Sequence, residues 1–132
     1  MIGGSLPSPT AAPVKEPTTN EVIDMARTVE IVRFRIKDDR RSDFLRLRPA
    51  AVQAVRAAHP QLVGAPVLVE HADGSWTDVW IYETAEGAAL ANRQAGAIPA
   101  FAQMADLLDD VTIQEGTAPE AGHDPIETGA AL

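Results

Sequence analysis

The sequence contains no cysteine among its 132 residues, which excludes disulfide staples and thiol chemistry. It holds no apolar run near the roughly 20 residues that a membrane-spanning helix needs, so no membrane partner is expected. It has only three histidines, and they share no ligand-type spacing, so no metal site is indicated. Basic charge is short as well. The chain has 11 Lys+Arg against 19 Asp+Glu, a formal charge of −8. Between residues 28 and 116, nine Lys/Arg face thirteen Asp/Glu, a net of −4. Non-specific nucleic-acid binding needs a basic footprint, so that class is excluded too. The N-terminus lacks a basic stretch followed by an apolar one, which leaves no evident signal peptide. Together with the lack of cysteine this fits a cytoplasmic location. Aromatic residues make up only 5 % of the chain, so the places of its two tryptophans and single tyrosine carry weight.

What is present is one folding unit between two tails. Residues 1–24 hold Pro7, Pro9, Pro13 and Pro17 with Gly3 and Gly4 and no aromatic side chain. That composition does not offset its own ordering entropy and reads as a flexible N-terminal tail, with residues 1–27 outside the domain. Met25 directly precedes the first strand pattern and is a candidate natural start. Residues 117–132, rich in Ala, Gly and acids, read as a C-terminal tail. The domain, 28–116, is small enough that oligomerisation is plausible in advance.

Within it, Val29–Lys37 alternates with period two, the mark of a strand. Phe44, Leu47, Ala51, Val55 and Ala58 lie at helical steps, predicting a helix over 40–58, which Pro49 should kink or divide. Val67–His71 and Trp76–Glu83 read as strands joined at Asp73-Gly74, a strong signal for a two-residue hairpin turn. Thr84 with Gly87 opens a second helix of small residues, Pro99–Leu108 a shorter one, and Val111–Glu115 a last strand. The order is βαββαβ, an α+β domain with an antiparallel sheet.

A two-residue turn at Asp73-Gly74 would set His71 opposite Trp76 and Val69 opposite Asp78. One face of the sheet would then collect Val32, Phe34, Ile36, Leu68, Val79, Ile81, Val111 and Ile113 and pack beneath the helices. The other would carry Arg33, Arg35, His71, Trp76, Asp78, Trp80 and Tyr82. Such a face is too apolar for water and too polar for a sealed core. Mixed aromatic and polar linings are typical of ligand cavities, so this face should need a partner or a ligand.

The run Trp76-Thr-Asp-Val-Trp80-Ile-Tyr-Glu-Thr84, the Ala-rich helix after it, Pro99-Ala-Phe101, the strand Val29–Lys37 and the helix start Phe44-Leu45 resemble the antibiotic biosynthesis monooxygenase-like family of the dimeric α/β-barrel superfamily. The resemblance covers about residues 28–116. It implies a ferredoxin-like domain, a homodimer whose two sheets face each other around a pocket, and cofactor-independent oxygenation, without metal or flavin, of an aromatic or polyketide-like small molecule. Haem degradation in this family uses an Asn on the first strand and a His on the second helix. Here residues 85–108 contain no histidine, which argues against that activity.

On this reading Arg33 and Arg35 are candidates to hold an anionic oxygen, since guanidinium is a fixed, permanently charged donor. An ion pair with Asp78 is the bland alternative. Trp80 and Trp76 would stack on a planar substrate or pack an interface. Tyr82 would donate its hydroxyl to a developing oxyanion. Asp78 or His71 would handle the proton. Asn92, on the second helix, faces either a cavity mouth or solvent. Arg48 belongs with its neighbours to a solvated charged face. The alternative function is a non-catalytic dimeric module that binds a small ligand or another chain. Asp78 discriminates between the two: free and perturbed in an enzyme, fully paired with arginine in a structural module.

Overall fold

The structure, a computed structural model, describes Ala26–Asp124. The expectation for Met25 lies outside these residues. The compact unit is Arg27–Ala118. It runs β1 (Arg27–Ile36), α1 (Arg41–Ala58), β2 (Leu62–Glu70), β3 (Ser75–Tyr82), α2 (Ala85–Gln94), a 3-10 turn (Ala95–Ala97), α3 (Pro99–Ala105) and β4 (Leu108–Ala118). The four strands form one antiparallel sheet in the order β2-β3-β1-β4. The helices cover one side of it, the ferredoxin-like arrangement that the element order predicts.

Local sequence accounts for the helices. Phe44, Ala51, Val52 and Val55 form the buried stripe of α1. Pro49 lies within α1 without dividing it. Pro49 and Leu45, four residues before it, are both exposed, so the proline lies on the outer face of the helix. Thr84 caps α2, its hydroxyl accepting from the Gly87 amide at 2.9 Å. Pro99 starts α3, where a missing amide proton costs nothing. The strands are longer than their apolar patterns. β2 begins at Leu62, and Pro66 is accommodated because β2 is an edge strand. β4 continues to Ala118, pairing with Arg27, beyond the predicted domain edge.

The structure corrects the assignment of β3 to a face. The observed register pairs Glu70 with Trp76, Leu68 with Asp78 and Val67 with Val79, one residue away from the predicted one. The loop explains the slip. His71 N–H donates to Ser75 O at 2.8 Å and Gly74 N–H to His71 O at 3.0 Å, so Ala72, Asp73 and Gly74 all lie in the loop. Gly74 has φ +88°. This is a turn closed by a left-handed glycine, the three-residue hairpin, rather than the two-residue form. The Asp73 carboxylate pins it by accepting from the Ser75 amide and hydroxyl at 2.9 and 2.7 Å.

A one-residue slip moves every side chain of a strand to the opposite face. Trp76, Asp78, Trp80 and Tyr82 therefore lie beneath the helices, all buried. They share that side with Glu30, Val32 and Phe34, their partners or neighbours on β1. Trp76 stacks on Phe34 at 6.3 Å and meets the edge of Phe44 at 5.6 Å, at the centre of the core. Val79 and Ile81, expected in the core, face the other way. They pair with Ile31 and Val29, while Val67 and Val69 extend the same side. The open face therefore has an aliphatic patch beside Arg33, Thr77 and Thr112 and carries neither tryptophan nor the tyrosine.

An L-residue in the conformation of Gly74 costs about 1–2 kcal/mol. Gly74→Ala is expected to lower the unfolding free energy by that amount, measured by urea denaturation. The added methyl would meet only the far end of Arg35, at 3.2 Å, so backbone strain accounts for the loss.

Candidate functional site

Once β3 turns its aromatic side chains under the helices, they enclose space as well as core. A cavity of about 280 Å³ lies between the sheet and the segment α2–α3, near the lower end of the range for small-molecule sites. Ala91, Ala95 and Gly96 form its roof, and their small side chains leave the room beneath. Trp80 and Phe101 make an aromatic wall, meeting edge to face at 6.1 Å and 79°. The polar lining is Glu30, Asp78, Tyr82 and Asn92.

The two carboxylates differ in how their charge is met. Asp78 is 2 % exposed. Arg48 of α1 grips it with two hydrogen bonds, Nε to Oδ2 at 3.0 Å and Nη2 to Oδ1 at 2.7 Å, and Nη2 also donates to Ala65 O at 2.8 Å. This is the bidentate geometry in which arginine neutralises a carboxylate best. Arg48 is thus not part of a solvated face. Its side chain is 14 % exposed and belongs to a buried pair.

Glu30 is buried too, at 6 % exposure, and no cation among the described residues pairs with it. Its Oε2 accepts a hydrogen bond from Asn92 Nδ2 of α2. Burial pushes the Glu30 carboxyl above its ordinary value of 4.5; the Asn92 bond works against that shift, and the charge of Glu115 adds to it. Glu115 is the direct partner of Glu30 across β1 and β4. Burial, with a smaller contribution from Glu30, also raises the Tyr82 phenol, which stays protonated at neutral pH.

The structure divides the residues that the sequence singled out. Asp78, Trp80 and Tyr82 meet at the cavity. Trp76 is in the aromatic core beside it. Arg33 is exposed on the open face, paired with Thr77 and Thr112. Arg35 is exposed and donates to Asp73 O at the hairpin, at 3.1 Å. His71 is exposed beside the same turn, its Nε2 2.7 Å from Thr77 Oγ1. The bland alternative of an Arg33–Asp78 pair is replaced by Arg48–Asp78. The cavity also lies within one chain, under the helices, and not on the sheet face where a pocket between two sheets was expected.

Glu30 escaped the sequence reading although it shares parity with Val32 and Phe34, a carboxylate on an otherwise apolar stripe. Asn92 is exposed as a residue and still reaches inward to Glu30. Among the described residues no group of three or more His, Cys, Asp or Glu could hold a metal ion. No helix among them is long and apolar enough to cross a membrane.

No protein-family model matches the chain, and no curated protein matches it in sequence. Solved structures do match its fold. A Bordetella bronchiseptica protein provisionally named an antibiotic biosynthesis monooxygenase aligns with a TM-score of 0.59 and 14 % identity, over 70 % of this chain and 96 % of that one. A mutant form of SnoaB, a cofactor-independent oxygenase from Streptomyces nogalater, aligns at 0.52 and 16 %, over 76 % and 97 %. A nipsnap family protein of unknown function from Agrobacterium tumefaciens aligns at 0.52 and 14 %, over 70 % and 88 %. The chain therefore has the fold shared by proteins named antibiotic biosynthesis monooxygenases, the family that its sequence resembles. At these identities the likeness concerns the fold alone.

Two outcomes follow from the unequal carboxylates. Arg48→Ala strands Asp78 and should cost about 3–5 kcal/mol, whereas Arg48→Met combined with Asp78→Leu should recover most of the loss; denaturant unfolding of both variants checks this. Glu30 behaves differently. Its raised folded-state pKa means that ionisation opposes folding, an effect absent below 4.5 and growing as pH rises through the folded value. Glu30→Gln should therefore gain stability relative to the unsubstituted protein as pH rises from 4.5 through neutrality. A flat difference across thermal melts in that range would contradict it.

Proposed function

We propose that this chain is a monooxygenase-like protein that binds a small aromatic or polyketide-like molecule in the cavity beneath α2 and α3, and works as a homodimer without metal or flavin. The observation that carries this reading is the cavity lining: an aromatic wall of Trp80 and Phe101, apolar surroundings, and a few converging polar groups. Trp80 and Phe101 would flank a planar ring. Tyr82, neutral at physiological pH, would donate a hydrogen bond to a ligand oxygen. The fold likeness to a cofactor-independent oxygenase supports the reaction class.

In such a reaction an acidic ring carbon loses a proton, and the carbanion passes electrons to dioxygen. At a ring methylene the balance is CH2 + O2 → C=O + H2O, with all electrons supplied by the substrate. A dry pocket favours this by keeping the carbanion from water. The earlier candidates for the proton are less suited than they looked. Asp78 is already saturated by Arg48, and His71, like Arg33 and Arg35, is outside the cavity.

The homodimer is supported by the open face of the sheet. Val67 and Val69 are exposed there at 44 % and 38 %, continuous with Ile31, Val79 and Ile81. Such a contiguous aliphatic face is the kind that protein partners cover. The second reading, a non-catalytic ligand-binding dimer, draws its support from the Arg48–Asp78 pair, since a saturated aspartate is a structural element and not a base.

Calorimetric titration with a panel of two- and three-ring phenols, together with dioxygen uptake in metal- and flavin-free buffer, separates these readings. Binding with uptake is expected. Trp80→Ala should weaken binding about tenfold or more, equivalent to about 1.4 kcal/mol. Binding without uptake supports the module, and no binding at all overturns the cavity reading. Ile31→Asp should convert dimers to monomers in light scattering.

A further inference from the structure

We propose that Glu30, oriented by Asn92, is the cavity's hydroxyl acceptor, so that the site takes neutral hydroxylated ring compounds and turns away carboxylates. This rests on the small-molecule reading above and names its ligand class.

Two carboxylates line the cavity, and Arg48 cancels the one on Asp78. Among the described residues Glu30 has only a neutral amide on it and no cation. The groups that face it from the elements around it are Asn92 from α2, Tyr82 from β3 and Glu115 from β4. None is a cation. A ligand carboxylate entering here would shed hydration against apolar walls and meet the Glu30 and Glu115 carboxyls in place of a cation, which disfavours it. A phenolic or enolic hydroxyl does the opposite. It supplies the donor that the buried carboxylate lacks, and hydrogen bonds to charged groups are the stronger kind.

Asn92 makes this directional. It occupies Oε2, and among the described residues no other hydrogen bond reaches the carboxylate, so the remaining oxygen is available to a ligand. The same contact serves the proposed chemistry. The ligand O–H bond breaks, an O–H bond forms on Glu30, and the electron pair stays on the ligand oxygen. The resulting phenolate or enolate shares that pair with its ring carbon, which is the carbanion that passes electrons to dioxygen. Burial makes Glu30 a better base than an ordinary glutamate, because it raises the affinity of the carboxylate for that proton.

The test uses the full chain and three probes of one shape: α-naphthol, naphthalene and α-naphthoate, titrated by calorimetry across pH. The protein should bind naphthol about tenfold or more tighter than naphthalene, with naphthoate weakest. Glu30→Gln should erase most of the naphthol preference over naphthalene and its pH dependence, and should improve naphthoate. Asn92→Ala should keep the preference but move its pH midpoint upward, because the amide bond holds the Glu30 pKa down; a merely structural asparagine would not move that midpoint. Naphthoate binding tightest, or a naphthol preference unchanged in Glu30→Gln, overturns this proposal and leaves the cavity reading standing. If none of the probes binds, both fall together.

Discussion

The left-handed turn at Gly74 is the constraint from which the rest of this molecule follows. One residue with φ +88° makes the β2–β3 loop three residues long. Loop length fixes register, and register decides which parity of β3 points at the helices. Here the even parity does, so two tryptophans, a tyrosine and an aspartate are driven inward. A loop shorter by one residue would bury Val79 and Ile81 instead, and leave the aromatic side chains on the open face. The cavity, its wall and its buried charges are consequences of that turn.

Burying Asp78 carried an obligation that α1 meets. A carboxylate taken out of water must be paired or protonated, and Arg48 pairs it with two short hydrogen bonds while tying β2 in through Ala65. Glu30 is also buried, but its partner is an asparagine and its cross-strand neighbour another acid. A fold selected for stability alone gains nothing from such a residue. Burial of an uncompensated carboxylate among aromatic rings is where perturbed acids and bases gather in functional sites. The contrast between these two acids on adjacent strands distinguishes structural charge from available charge in this cavity.

The fold also separates two jobs that one face was expected to share. The helix side of the sheet holds the aromatic core and the cavity, and the open side offers aliphatic surface. Trp76 marks the division on the inner side, where it stacks with Phe34 and Phe44 and leaves Trp80 to face the space. Arg33 and Arg35 belong to the open side and its rim, remote in role from the proton chemistry proposed for Glu30.

Much of this was legible in the chain. Alternation in β1 and β3, the apolar stripe of α1 and the cap at Thr84 are local patterns, and each specifies its element whatever the remainder of the chain does. They suffice for the βαββαβ order and the ferredoxin-like sheet. Asp73-Gly74 marked a turn as well, but the same dipeptide closes loops of two residues or three, and only the hydrogen bonds of Ser75 and His71 decide between them. Arg48 looked like one more arginine on a charged helix, because a helix face does not reveal which aspartate it covers. Glu30 and Asn92 are 62 positions apart, and no spacing rule links them. Residues close along the chain specify the elements and their order. Tertiary structure alone decided which face of β3 is buried and which charges meet, since those depend on a register and on contacts between distant segments.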